Sequence, residues 1–152
     1  MHHIFVYGSL KRGQPNHPYM IDSNNGKAEF LCPAVTVQKF PLVIATKYNL
    51  VFLLNLPGQG KRIHGEIYKV DEKMLKYLDW FEKVPTMYQR TVVELEVKMA
   101  DKEEKLSPGS IMEAFVYSTT TYQPDWPSLP TYDNYDANGD HGLKFVPRED
   151  RK

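Results

Sequence analysis

The chain has 152 residues, with 19 basic and 19 acidic side chains, 41% hydrophobic and 25% charged residues, and a formal net charge of zero. That length suits a single domain over residues 1–152, and the balanced charge leaves no footprint for nucleic acid or an anionic membrane. One cysteine, Cys32, and an N-terminal apolar run that stops at Tyr7 predict a reducing, cytoplasmic setting.

In chain order, residues 3–7 read as a first strand, ending in Gly8-Ser9-Leu10 and then Lys11-Arg12-Gly13. Residues 11–27 are polar and punctuated by Gly and Pro, with room for one short helix near 19–22. Strand-like runs follow at 28–32, 34–40, 42–46 and 50–55, a turn at "LPGQGK", and another strand at 62–70. Asp71 can cap a helix over 72–83 that Val84-Pro85 stops. In 88–99 the residues Val93, Leu95, Val97 and Met99 alternate with Glu94, Glu96 and Lys98, the pattern of a half-buried strand. A charged loop, "DKEEKLSPGS" at 101–110, leads to a last strand at 111–118. Beyond 119 the chain is rich in Pro, Asp and aromatics without periodicity, so it should be irregular but pinned by Trp126, Tyr132, Tyr135 and Phe145. No stretch approaches the roughly 20 apolar residues of a membrane-spanning helix.

The helix carries an anomaly. At about 100° per residue, Met74, Leu75, Leu78 and Phe81 share one face and Lys73, Lys76 and Lys83 the other. Glu82, four residues after Leu78, falls inside the apolar stripe, and Asp79 lies at its edge. A carboxylate there is expensive unless it is paired or keeps its proton. The helix's negative end also disfavours its ionised form. Both effects push its pKa up, toward what a group alternating between base and acid needs. The competing reading makes Glu82 a structural partner of Arg90, or a side chain reaching solvent from a frayed end.

The loop Tyr7-Gly8-Ser9-Leu10 suggests an anion cradle. Backbone N–H groups at a strand end can hold a carboxylate or an oxyanion, Gly8 allows close approach, and the Ser9 hydroxyl adds a donor. An ordinary turn accounts for the same residues. His17, His64 and His141 have no metal-ligand spacing, so no metal site is expected.

"FVYGSLKRG" followed some seventy residues later by "YLDWFE" resembles the gamma-glutamylcyclotransferase-like superfamily, in which a Tyr-Gly-Ser/Thr-Leu loop faces a glutamate near a helix end. The likeness extends through "GQPNH", "PLVIA", "GEIYKVDE", "MYQRT", "FVY" and "HGLKFVPRE", nearly the whole chain. Two departures stand out: Ser9 replaces the threonine of near relatives and keeps the hydroxyl, and Trp80 stands where they carry an acid. The resemblance implies a mostly β, α+β fold: a compact small β-barrel with a few short helices. It assigns substrate binding to Tyr7, Gly8, Ser9 and Leu10 and acid/base work to Glu82, without cofactor or metal. The implied substrate is a small-molecule γ-glutamyl amine such as γ-glutamyl-ε-lysine, converted to 5-oxoproline and free amine. Action on other γ-glutamyl compounds, and a non-catalytic binding module on the same fold, remain alternatives. "HGLKFVPRE" with Tyr88, Tyr117 and Trp126 could form an apolar slot for the amine's stem. Oligomeric state stays open, a monomer being compatible with the sequence.

Overall fold

The computed structural model describes residues 1–99 and 106–151; the first half of the charged loop predicted at 101–110 lies outside them. Among these residues seven strands and two α-helices follow one another: β1 (His2–Val6), α1 (His17–Ile21), β2 (Ala28–Phe40), β3 (Leu42–Ala45), β4 (Leu50–Leu53), β5 (Lys61–Val70), α2 (Glu72–Phe81), β6 (Gln89–Val97) and β7 (Ile111–Ser118). Five of them close a barrel in the order β1-β5-β2-β6-β7. Its neighbours are antiparallel except at the seam, where β1 meets β7 in parallel at Ile4 and Phe115. Closure pairs both edges of the sheet.

The runs 28–32 and 34–40 prove to be one strand. Pro33 lies inside β2 opposite Glu66, and the register shifts between Phe30 and Cys32 and again between Val35 and Lys39. Such irregularities let a strand pass a residue that has no N–H to donate. The runs 42–46 and 50–55 are not barrel strands: β3 and β4 form their own antiparallel pair, with Leu42 opposite Leu53 and Ala45 opposite Leu50. All eight residues of that pair are buried. Met99 departs from the alternation as well. Val93, Leu95 and Val97 are buried, but β6 ends at Val97 and Met99 is 61% exposed.

β1 is buried on both faces, which explains its unbroken apolar run. Phe5 packs inside the barrel with Cys32, Ile63, Ile67 and Leu95. Ile4 and Val6 face outward onto Met74, Leu75, Leu78 and Phe81 of α2. Those four helix side chains are almost wholly buried, and at about 1.5–3 kcal/mol each they are the main force docking α2 on the barrel. At Gly65 of β5 a Cβ would fall 2.4 Å from the Val6 carbonyl oxygen and 2.6 Å from the Phe5 ring. Only glycine lets β1 lie this close, and that contact sets where the chain leaves the barrel after Val6.

The tail after Thr119 has two short 3-10 turns, at Trp126–Ser128 and Arg148–Asp150, and is otherwise irregular. Backbone bonds hold it: Tyr132 N–H donates to the Leu42 carbonyl (3.0 Å), His64 N–H to Asp133 (2.7 Å) and Val146 N–H to Tyr48 (3.0 Å). Tyr135 is buried, while Trp126, Tyr132 and Phe145 are partly so.

Candidate active site

The end of α2 is built by its own sequence. Asp71 caps the start, its carboxylate accepting from Met74 N–H at 2.8 Å. At the other end Lys83 turns left-handed (φ 53°), Lys83 N–H donates to Trp80 and Val84 N–H to Asp79. This double return is the Schellman arrangement. It ends the helix at Phe81, before the proline is reached, and makes Glu82 the C-cap residue, with its N–H on the Leu78 carbonyl (2.8 Å).

Glu82, Tyr7, Gly8, Ser9 and Leu10 line one cavity. The fold therefore brings together all five residues that the sequence singled out for substrate binding and acid/base work. Glu82 is only partly accessible, and burial pushes its carboxyl up to about 7, against an opposing pull from Arg148 and Arg151. The Glu82–Arg90 pair offered as a structural alternative does not form. Arg90 instead donates to Asp79 at 2.9 Å, and the other Asp79 oxygen accepts from the Tyr117 hydroxyl at 2.9 Å. Asp79, at the edge of the stripe, thus takes the structural role and leaves Glu82 without an ion pair among the described residues. Trp80 is 69% exposed and does not line the cavity.

The loop's carbonyls are occupied by the residues after it. Gly8 O accepts from Lys11 N–H, Ser9 O from Asn16 N–H, and Leu10 O lies 3.0 Å from His17 Nδ1. Among the described residues the N–H groups of Gly8, Ser9 and Leu10 meet no backbone acceptor. The Ser9 hydroxyl accepts from Asn16 Nδ2 at 2.9 Å, so part of its work is to hold the loop. A Cβ at Gly8 would touch Val51 at 3.4 Å: alanine fits there, and anything larger pushes on β4. Beneath the loop, Tyr7 donates its hydroxyl to the Tyr117 carbonyl (2.6 Å) and Tyr88 donates to Val51 (2.7 Å). Burial raises both phenols, and the nearby Glu82 raises them further, so they stay neutral.

The basic residues after the loop are not part of the cradle. Lys11 reaches the Asn134 side chain and the Tyr135 carbonyl, and Arg12 pairs with Glu66 and stacks on Phe30 at 3.7 Å. Neither lines the cavity. The string Lys11-Arg12 anchors the loop to the tail and to β5.

Besides Lys83 at the end of α2, the cavity is lined by two cations from the far end of the chain. Arg148 donates through Nη2 to the Phe81 carbonyl, and its guanidinium lies 4.0 Å from the centre of the Phe81 ring. Arg151 donates to Val146 and lies beside the Phe145 and Tyr48 rings. Both arginines line the cavity together with Phe145, Tyr88 and Tyr117. The expected apolar slot is corrected in two respects: Trp126 packs on Phe52 at 4.6 Å instead, and the tail adds two charges. Sequence reasoning named the segment that holds Arg148 but as an apolar wall, and it missed Arg151, because an aperiodic tail gives no face on which a charge looks misplaced.

A closed five-strand barrel with a loop and a helix-end glutamate facing one cavity defines a known class, and the family model for gamma-glutamyl cyclotransferase, AIG2-like proteins matches residues 4–137. The chain belongs to that family. Among its relatives, gamma-glutamylaminecyclotransferase C of Danio rerio is 60% identical over 99% of this chain and 97% of its own. The gamma-glutamylaminecyclotransferase of Rattus norvegicus is 54% identical over 99% and 100%. A crystal structure of an AIG2-like protein from Mus musculus superposes with a TM-score of 0.92 at 51% identity, covering 99% of both chains.

Proposed function

We infer that this chain is a gamma-glutamylaminecyclotransferase, which converts a γ-glutamyl amine such as γ-glutamyl-ε-lysine into 5-oxoproline and the free amine. The observation that carries the reading is the Glu82 carboxyl, held near pKa 7 in the same cavity as the Tyr7–Leu10 loop. Near-full-length relatives bearing that name support the substrate class.

The reaction is intramolecular. The substrate's α-amine attacks its own γ-carbonyl, a five-membered lactam forms, and the C–N bond to the amine breaks. Nucleophile and electrophile are one molecule, so the chemistry asks the protein for no nucleophile or redox group. Holding the reactive rotamer supplies much of the acceleration, since well-oriented intramolecular reactions gain about 7–11 kcal/mol. Glu82 in its ionised form takes a proton from the α-ammonium. It then returns that proton to the departing amine, so the enzyme ends as it began. A carboxyl near 7 does both readily, because neither state is strongly favoured at neutral pH. The N–H groups of Gly8, Ser9 and Leu10 are the donors for the substrate's anionic oxygens. A reducing, cytoplasmic setting accords with Cys32, which is fully buried in β2.

Turnover of γ-glutamyl-ε-lysine, read as equimolar lysine and 5-oxoproline, tests this reading. A purified protein that binds 5-oxoproline but releases no lysine would instead be a binding module.

A further inference from the structure

Two guanidinium groups share the wall of this cavity with no carboxylate in ion-pair distance of either among the described residues. Among the described residues Arg148 spends only Nη2 on the protein, and its buried Nε finds no hydrogen-bond partner there. Arg151, among the same residues, spends only Nε. Neighbouring cations in a half-buried place repel each other and lose hydration, an arrangement that an incoming anion relieves. A guanidinium's planar fork fits a carboxylate in particular.

A γ-glutamyl-lysine substrate brings two carboxylates, one on the glutamyl head and one on the departing lysine. The head is common to every γ-glutamyl substrate, and the parts that meet it, the Tyr7–Leu10 loop and Glu82, lie within the family match at residues 4–137. Arg148 and Arg151 lie beyond it. They also sit with Phe145, whose ring offers an apolar surface on which methylenes can lie. Resting on the functional reading above, we propose that Arg148 and Arg151 form a carboxylate subsite for the leaving group, reading the α-carboxylate of an amino-acid amine whose stem lies along Phe145. The enzyme is then tuned to free γ-glutamyl-ε-lysine over the same isopeptide whose lysine carboxyl is blocked.

The test compares kcat/KM for γ-glutamyl-ε-lysine and γ-glutamyl-ε-lysinamide, which differ only in that carboxylate. Wild type should favour the acid at least about tenfold, mostly through KM, as expected for a charge-assisted contact made before and during reaction. Arg151→Gln should collapse that ratio toward one, and Arg151→Lys should restore part of it. Arg148→Lys provides a second variant, with a thermal melt to establish that each protein is folded. A wild-type ratio near one, or variants that lower both substrates equally, would overturn the proposal; the second result would give the arginines to the glutamyl head. Release of neither lysine nor lysinamide by wild type would overturn the functional reading, and this subsite with it.

Discussion

The cavity has two walls of opposite origin. One is the Tyr7–Leu10 loop with the end of α2, where regular elements place each group and backbone geometry does most of the work. The other is the tail around Phe145, Arg148 and Arg151, an irregular segment held by isolated backbone bonds such as Val146 N–H to Tyr48. The first wall has the means to move a proton and to bind anionic oxygen. The second holds charge and aromatic surface that the intramolecular reaction itself does not require. The contrast suggests that chemistry resides in the strand-and-helix wall and adjustment of charge and specificity in the tail.

The sharpest way to break that division is at Glu82. Glu82→Gln keeps the shape but cannot shuttle a proton, so kcat should fall by about 10²–10⁴. The fold should survive, and above pH 7 the variant should be the more stable protein. The sign follows from linkage: a carboxyl raised from 4.5 to about 7 favours the folded state while protonated, below about 4.5. That contribution is lost as pH rises through about 7, and it amounts to at most about 3 kcal/mol. Melting curves of both proteins at pH 5 and pH 8 read it directly.

Arg148→Gln probes the tail's influence on the chemistry. Losing a cation that pulls Glu82 down should raise that pKa further, so the acid limb of the pH–rate profile should move upward. At pH 7 the rate should fall, but by less than in Glu82→Gln. An unmoved limb would mean the two walls are electrostatically independent.

At the loop, Gly8→Leu should lose substrate affinity and about 1–3 kcal/mol of stability by crowding Val51, whereas Gly8→Ala should be mild because its Cβ only reaches contact at 3.4 Å. Ser9→Ala should be the smallest change, about 0.5–1.5 kcal/mol in kcat/KM or stability, since one neutral hydrogen bond from Asn16 is lost and the backbone donors remain. The reverse ranking, with Ser9→Ala worse than Gly8→Leu, would move the binding role from backbone to hydroxyl.

Legibility in the sequence followed the same division. Glu82 was visible because a helix has a period, and a carboxylate on its apolar face breaks it. The loop was visible because a buried strand stopped on glycine. The barrel strands β5, β6 and β7 were also readable from alternation and turn residues. Periodicity cannot say which strands pair, so it gave no sign that β3 and β4 form their own pair outside the barrel. Pro33 looked like a break because a strand that bulges around a proline carries no separate signal. The role of Lys11 and Arg12 was not readable because their partners, Asn134 and Glu66, are remote in sequence. The charge that Arg148 and Arg151 bring to the cavity was unreadable for the same reason: only the folded tail brings them beside Glu82.

The most direct test of the account is the pH dependence of kcat/KM for γ-glutamyl-ε-lysine in the wild-type protein, measured alongside a titration of Glu82 by carboxyl-carbon NMR. The account predicts an acid limb and a Glu82 titration that coincide at about 7, as burial of the carboxyl requires. A Glu82 that titrates near 4.5, or a rate that stays flat from pH 8 down to pH 5, would contradict it.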